Sequence, residues 1–273
     1  MFDVLTGSLV TNRLSLAIFL LRQVVAFGAL AIVATAESVV VDLANEQRLT
    51  LLSANVFLHN ERRDELLQEI ESTSADVVLI QEFSPSWQRT IEQSNLLDTY
   101  PHGIVQPRDD AFGQAVFSRI PILASEVWET GGMPVITFRV GLSKGSIRVF
   151  NWHPFPPIPL ENFQIQSKQY EELVARLVQS EGLAIVVGDF NVTQHSPRMK
   201  ELREIGFHSA HEETGRGAAV TFPNGQRDLP SIRIDHAMLS KGLKTIAIRE
   251  GEGAGSDHKP LILEVAIEES TDN

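Results

Sequence analysis

The chain has 273 residues, 43% of them hydrophobic and 21% charged, and it contains no cysteine. Such a length supports one large domain with a substantial core or two small ones, and the composition excludes a disordered chain, a disulfide scaffold and a thiolate metal site. A formal net charge of −12 argues against a broad basic face for nucleic acid and leaves room only for a local basic groove.

Residues 14–36 read LSLAIFLLRQVVAFGALAIVATA. Arg13 and Arg22 precede the apolar run 24–33, and Ala34-Thr35-Ala36 has the A-x-A form of a leader cleavage site. Three readings fit. The segment is an export leader cleaved after Ala36, an uncleaved anchor with Arg22 awkwardly inside its span, or an apolar helix of a soluble protein. The first two imply a protein of the cell envelope or a secreted one, with membrane attachment through 14–36 in the anchored case. Residues 1–45 are therefore set apart as leader or anchor plus a short connector. Residues 46–273 form one domain, since no linker rich in proline, glycine or serine cuts the chain after residue 45.

Within that domain, 49–56 is β-like and contains Asn55, and 61–70 has helical spacing with Leu66, Leu67 and Ile70 on one side. The short apolar run 76–80 ends at Gln81-Glu82, and 114–118, 135–140 and 146–152 are further strand candidates. Residues 162–179 read as a long amphipathic helix, followed by the apolar strand 183–187. Ser196 as N-cap with Pro197 at the first helical position marks another helix start. Residues 232–239 and 261–267 supply the last strands. Strands and helices mix without strict βαβ alternation, which favours an α/β (α+β) domain of layered mixed sheets.

The chemically capable residues recur at one kind of place. Asn55, Glu82, His153, Asp189 with Asn191, Asp235, and Asp257 with His258 each end or follow a β-like run. If those strands are neighbours, acids, amides and imidazoles meet at one rim. Such a set suits phosphoryl transfer: hard oxygen ligands hold Mg2+ or Mn2+, a carboxylate takes a proton from water, and an imidazole stabilises phosphate oxygens. Singly, each residue has a plainer reading. Asp189-Phe190-Asn191 is a turn, Glu82 a polar strand end, and His153 a packed or solvated side chain before Pro154-Phe155-Pro156-Pro157. Asp235-His236 is a local hydrogen-bonded pair, and Ser256-Asp257 a cap. Their joint occurrence in one order carries the inference.

Taken together, SANV around Asn55, VVLIQE ending at Glu82, GQAVFSR from Gly113 to Arg119, NWHP around His153, GDFN at 188–191, RIDH at 233–236 and GSDH at 255–258 resemble the endonuclease/exonuclease/phosphatase superfamily. The resemblance runs from about Thr50 to Glu264 and implies a four-layer sandwich of two packed mixed β-sheets flanked by helices. It also implies roles. Glu82 would be the principal metal ligand, assisted by Asn55 and Asp257. Asp189 would orient or deprotonate water, and Asn191 would hold that water or a phosphate oxygen. His258, fixed by Asp235, would contact the scissile phosphate, and His153 would bind phosphate or assist the leaving group. Many DNA-cleaving members carry a tyrosine in mid-domain. Here Tyr100 and Tyr170 are the only two, and neither falls in a matching motif. The proline-rich loop after His153, Thr221-Phe222-Pro223 and the hydrophobic N-terminus are more similar to the membrane-associated bacterial branch, with Phe155 and Phe222 either lining a substrate mouth or covering the core.

Two classes of function follow. One is a Mg2+-dependent phosphoesterase, acting on a lipid headgroup or small phosphoester or, alternatively, cleaving DNA or RNA as an endonuclease or exonuclease. Lys and Arg must neutralise phosphates in the nucleic-acid case, and the densest basic stretches, Arg62-Arg63 and 198–203, fall on expected helices. The other is a catalytically inactive binding module on the same fold.

Overall fold

The structure, a computed structural model, describes residues 48–142, 144–225 and 230–268. The apolar segment 14–36 and its connector lie outside the described residues. Strands β1 (Arg48–Asn55), β2 (Val77–Gln81), β3 (His102–Gln106), β4 (Gln114–Ser118), β11 (Leu243–Glu250) and β12 (Leu261–Ile267) form one sheet in the order β11-β12-β1-β2-β4-β3. The second sheet contains β5 (Ile122–Thr130), β6 (Met133–Leu142), β7 (Gly145–Asn151), β8 (Leu183–Asp189), β9 (Phe207–Ser209) and β10 (Asp235–Ser240), in the order β5-β6-β7-β8-β10-β9. Helices α1 (Arg63–Ser72), α2 (Pro85–Glu92) and α3 (Leu96–Thr99) cover the outer face of the first sheet. Helices α4 (Leu160–Gln179) and α5 (Pro197–Glu204) cover the second, and the one-turn α6 (Ala210–Glu213) lies between β9 and β11. The expected four-layer sandwich is the architecture observed.

The period of two in a strand explains the layering. Leu49 and Leu51 of β1, Val77 and Leu79 of β2, Ile147 and Val149 of β7, and Ile185 and Val187 of β8 all meet in the core between the sheets. Their neighbours point outward: Leu52, Val78 and Ile80 under α1 and α2, Phe150 and Val186 under α4 and α5. Each buried aliphatic side chain contributes roughly 1.5–3 kcal/mol, so a register slip of one residue would expose both faces at once.

The same parity makes the site. Carried toward one end of the strands, the inward positions turn polar: Ser53 and Asn55 on β1, Gln81 on β2, Gln114 on β4, Asn151 on β7, Asp189 on β8 and Asp235 on β10, all buried. The parallel pairs β1–β2 and β7–β8 are joined by the α1 and α4 crossovers, so their C-terminal ends lie side by side, Asn55 opposite Gln81. The antiparallel strands β4 and β10 begin where these end, with Gln114 opposite Gln81 and Asp235 opposite Asp189. Below the rim, Gln81 Nε2 donates across the sheets to Asn151 Oδ1 at 2.6 Å, and Asn151 Nδ2 donates to the Ile80 carbonyl at 3.1 Å. This layer ties the two sheets together where the apolar core stops.

The largest shift from the sequence reading comes late in the chain. The strand expected over 232–239 begins at Asp235; before it, Ile232 makes only an isolated bridge to Phe222. The buried Arg233 donates to the Arg216 and Gly217 carbonyls instead of entering the ladder. Among the described residues, no helix is long and apolar enough to cross a membrane.

Candidate active site

Asn55 closes β1 and Glu82 follows β2 in the left-handed region, φ 61°. That backbone turn takes Glu82 off the strand, and its Oε2 accepts the Leu58 N–H at 2.7 Å. Asn55 Nδ2 donates to Glu82 Oε1 at 3.1 Å and to Asp189 Oδ2 at 3.2 Å, so one amide bridges the acids of the two sheets. Its Oδ1 accepts the Phe57 N–H and keeps a second lone pair. Burial raises the Glu82 carboxyl above its ordinary range, against the opposing pull of the Leu58 N–H and Asn55.

Gly188, with φ 147°, precedes Asp189, and a Cβ there would lie 2.1 Å from the Trp152 carbonyl oxygen. The close approach of β8 to the end of β7 therefore requires glycine. Asp189 Oδ1 accepts the N–H of Asn191, itself at φ 51°, at 2.8 Å. Asp189 Oδ2 lies 3.6 Å from both His153 Nε2 and His258 Nε2. Burial raises the Asp189 carboxyl to about 6, with His258 and His153 pulling it down and Asp235 pushing it up.

His258 is the centre of the charge arrangement. Its Nδ1 lies 2.9 Å from Asp235 Oδ2, and its backbone N–H donates to Ser256 Oγ, which itself donates to the Asn55 carbonyl at 2.7 Å. Burial alone would make this imidazole neutral, but Asp235, Asp189 and Asp257 outweigh that and raise it to about 10. His153 has no such partner at Nδ1, and burial lowers it despite Asp189. Two buried histidines thus differ in charge: His258 is an imidazolium and His153 is neutral at pH 7.

The eight sequence-predicted residues are brought to this rim from both sheets, with Asp257 acting electrostatically on both Glu82 and His258. Asp235 and His236 are not a local pair. Strand parity sends Asp235 inward to His258 and His236 outward, where its Nε2 meets the Val192 carbonyl at 2.9 Å. Phe222 stacks obliquely on His258, ring centroids 4.9 Å apart, and Phe155 is half-buried against Phe112 at 4.4 Å. Both rings are partly exposed beside the site.

The model of the Endonuclease/Exonuclease/phosphatase family matches residues 52–258. The chain belongs to that family. Members of the endonuclease/exonuclease/phosphatase family are metal-dependent hydrolases of phosphate esters, and so is this protein. No match is found among curated proteins. Solved structures share the fold: the endonuclease/exonuclease/phosphatase from Bacteroides vulgatus is 19% identical, covers 82% of this chain and 100% of its own, with a TM-score of 0.66. D. rerio TDP2 complexed with single strand DNA product is 18% identical, covering 81% of this chain and 99% of its own at 0.66. The protein from Beutenbergia cavernae is 15% identical, covering 81% and 72% at 0.65.

The sequence reading passed over the residues that support the family site from behind. Gln166 and Gln169, buried on α4, bond Phe155 O at 2.7 Å and Phe155 N at 2.9 Å, and Tyr170 donates to the Phe190 carbonyl at 2.8 Å. Their signal was a run of polar residues on the inner face of an otherwise amphipathic helix. Phe112, 5.5 Å from the His153 ring, stands in a loop with no periodic pattern to mark it.

Proposed function

We propose that this protein hydrolyses a phosphate ester of a lipid or small organic molecule by in-line attack of water, with Mg2+ (or Mn2+) held by Glu82 and Asp257 beside Asn55. The observation that carries the reading is the buried His258 ring fixed between the carboxylates of Asp235 and Asp189. Asp257 Oδ1 is buried without a partner, Glu82 is a half-buried acid beside it in the charge arrangement, and all the donors are hard oxygens, so the residues fit such a cation. Donor atoms of Asp189, Asp235 and His258 also lie within 4.8 Å of one another. A protonated imidazole has no lone pair to offer, which favours the Glu82–Asp257 side. When bound, a divalent cation supplies Lewis-acid stabilisation of phosphate oxygens.

The residues divide the remaining work. Asp189, ionised at neutral pH, accepts a proton from the attacking water. Asn191 donates its amide to the Pro154 carbonyl at 3.0 Å, which leaves its Oδ1 to orient that water. His258 presents Nε2–H and a positive charge to the phosphate, on which negative charge builds in the transition state. Neutral His153 donates a hydrogen bond to a phosphate or leaving-group oxygen.

For the substrate, the state of the basic residues weighs against a long polyanion. Arg62 is bonded to Glu65, Arg198 to Glu201 and Arg203 to Glu212, while Arg63 lies over the Trp87 ring. Three of the arginines in the densest basic stretches are thus paired with carboxylates, and Arg63 is packed against a ring. A second reading, a nuclease acting on single strands, draws on the likeness to D. rerio TDP2 with its single strand DNA product. A Mg2+-dependent panel of phosphoinositides, sphingomyelin, prenyl pyrophosphates, RNA, single-stranded DNA and plasmid separates the two. The expected result is faster turnover of lipid or small phosphoesters, and turnover of nucleic acid alone rejects it.

A further inference from the structure

The catalytic rim continues outward into an apolar surface that the hydrolytic residues do not need. From His153 the Phe112 ring lies 5.5 Å away, and Phe155 lies 4.4 Å beyond it. The chain then runs Pro156-Pro157-Ile158-Pro159 without a charge into the first turn of α4, where Leu160 is 75% exposed and Phe163 46% exposed. Other large apolar side chains are as open, Leu123 at 60% and Val178 at 67%; what sets Leu160 and Phe163 apart is that they follow within eight residues of Phe155, which packs on Phe112 beside His153.

The display is built rather than loose. Buried Gln166 and Gln169 hold Phe155 O and Phe155 N, and Asn162 Nδ2 donates to the Ile158 carbonyl at 3.1 Å. These bonds tie the backbone of the loop to the helix below, with Phe155, Pro156 and Pro157 half-buried. Its charge points to the occupant. The ionised side chains on segments 108–112 and 154–163 are Arg108, closed onto Asp110 at 2.6 Å, with Asp109, Asp110 and Glu161. An acidic border repels a second phosphate, so the part of the substrate leaving the site in this direction is uncharged.

Resting on the phosphoesterase reading, we propose that Phe112, Phe155, Leu160 and Phe163 form an apolar lip that takes the hydrocarbon chain of a lipid phosphoester whose phosphate sits at His153 and His258. The test is inhibition of bis(p-nitrophenyl) phosphate hydrolysis by butyl, octyl and dodecyl phosphate, each below its critical micelle concentration, with the full chain. A fully buried methylene is worth about fourfold in affinity, so partial cover along the lip predicts at least a tenfold fall in Ki from butyl to octyl. Phe155→Ala should flatten the butyl-to-octyl step, and Leu160→Glu combined with Phe163→Glu the octyl-to-dodecyl step. Those three positions are exposed or half-exposed, and circular dichroism checks that the variants fold. A Ki independent of chain length, or a dependence unchanged in both variants, overturns the lip. Absence of turnover with chain-length-dependent binding still seen by calorimetry overturns the catalytic reading and leaves the lip standing.

Discussion

Replacing Asp235 by asparagine removes the charge that holds His258 protonated while leaving an oxygen able to accept from Nδ1–H. The two groups are 2.9 Å apart and almost wholly buried. Unit charges about 3–4 Å apart at an effective dielectric near 20 interact by roughly 4–5 kcal/mol. The retained hydrogen bond and relaxation of the site return about half, so the loss is about 2–3 kcal/mol, or about two pKa units. His258, raised to about 10 against the opposing effect of its burial, should then titrate roughly near 8. The group must be charged to act, so activity is lost as pH rises through its pKa, and the alkaline limb of kcat/KM should move down by the same amount. The acid limb, which reports ionisation of Asp189, raised by burial to about 6, should move down as well, because Asp235 is one of the charges that raise it. NMR titration of the His258 ring gives the same midpoint without a substrate. A midpoint or alkaline limb unmoved in Asp235→Asn would refute the claim that Asp235 sets the charge of His258.

Three further outcomes follow from the fold that carries the site. Asn151→Ala leaves Gln81 Nε2 and the Ile80 carbonyl short of their inter-sheet partners and should cost about 2–4 kcal/mol, read by urea unfolding. Gly188→Ala places a Cβ 2.1 Å from the Trp152 carbonyl oxygen; it should destabilise by roughly 3 kcal/mol or more and displace Asp189, so activity falls even in the folded fraction. Glu250→Gln removes an acid that His211 and Arg216 hold at about 2 despite burial. Since its folded pKa is depressed, its contribution is present above its unfolded pKa and lost as pH falls toward 2. The variant should therefore be about 1–3 kcal/mol less stable at pH 7, and the gap in denaturant midpoint should close in acid.

Much of this was legible because strand parity and strand ends are written in local sequence. β4 and β12 have the bounds the apolar runs suggested, and the polar residues that end β1, β2, β7 and β8 converge at one rim. The missed elements are those whose pattern a single sheet face does not impose. β5 is an edge strand with only Trp128 and Thr130 buried, so its residues read as polar loop. β11 carries a register shift between Thr245 and Ala247, which breaks its alternation. α2 buries only Trp87 and Ile91 in eight residues, although Ser84-Pro85 carries the same start signal as Ser196-Pro197. At the site, residue types were readable and charge states were not. Whether His153 or His258 carries the proton depends on which carboxylate folding places beside each ring, and that is a property of the two sheets meeting.

The central claim is that Asp189 activates water at a rim where Glu82 and Asp257 hold the cation. Its most direct measurement is kcat for phosphoester hydrolysis by Asp189→Asn, with Mg2+ affinity of the same protein measured by calorimetry. Loss of a general base predicts a fall of roughly 10²–10⁴ in kcat, with Mg2+ affinity within a few-fold of the unmodified protein. Undiminished kcat in that variant would contradict the account.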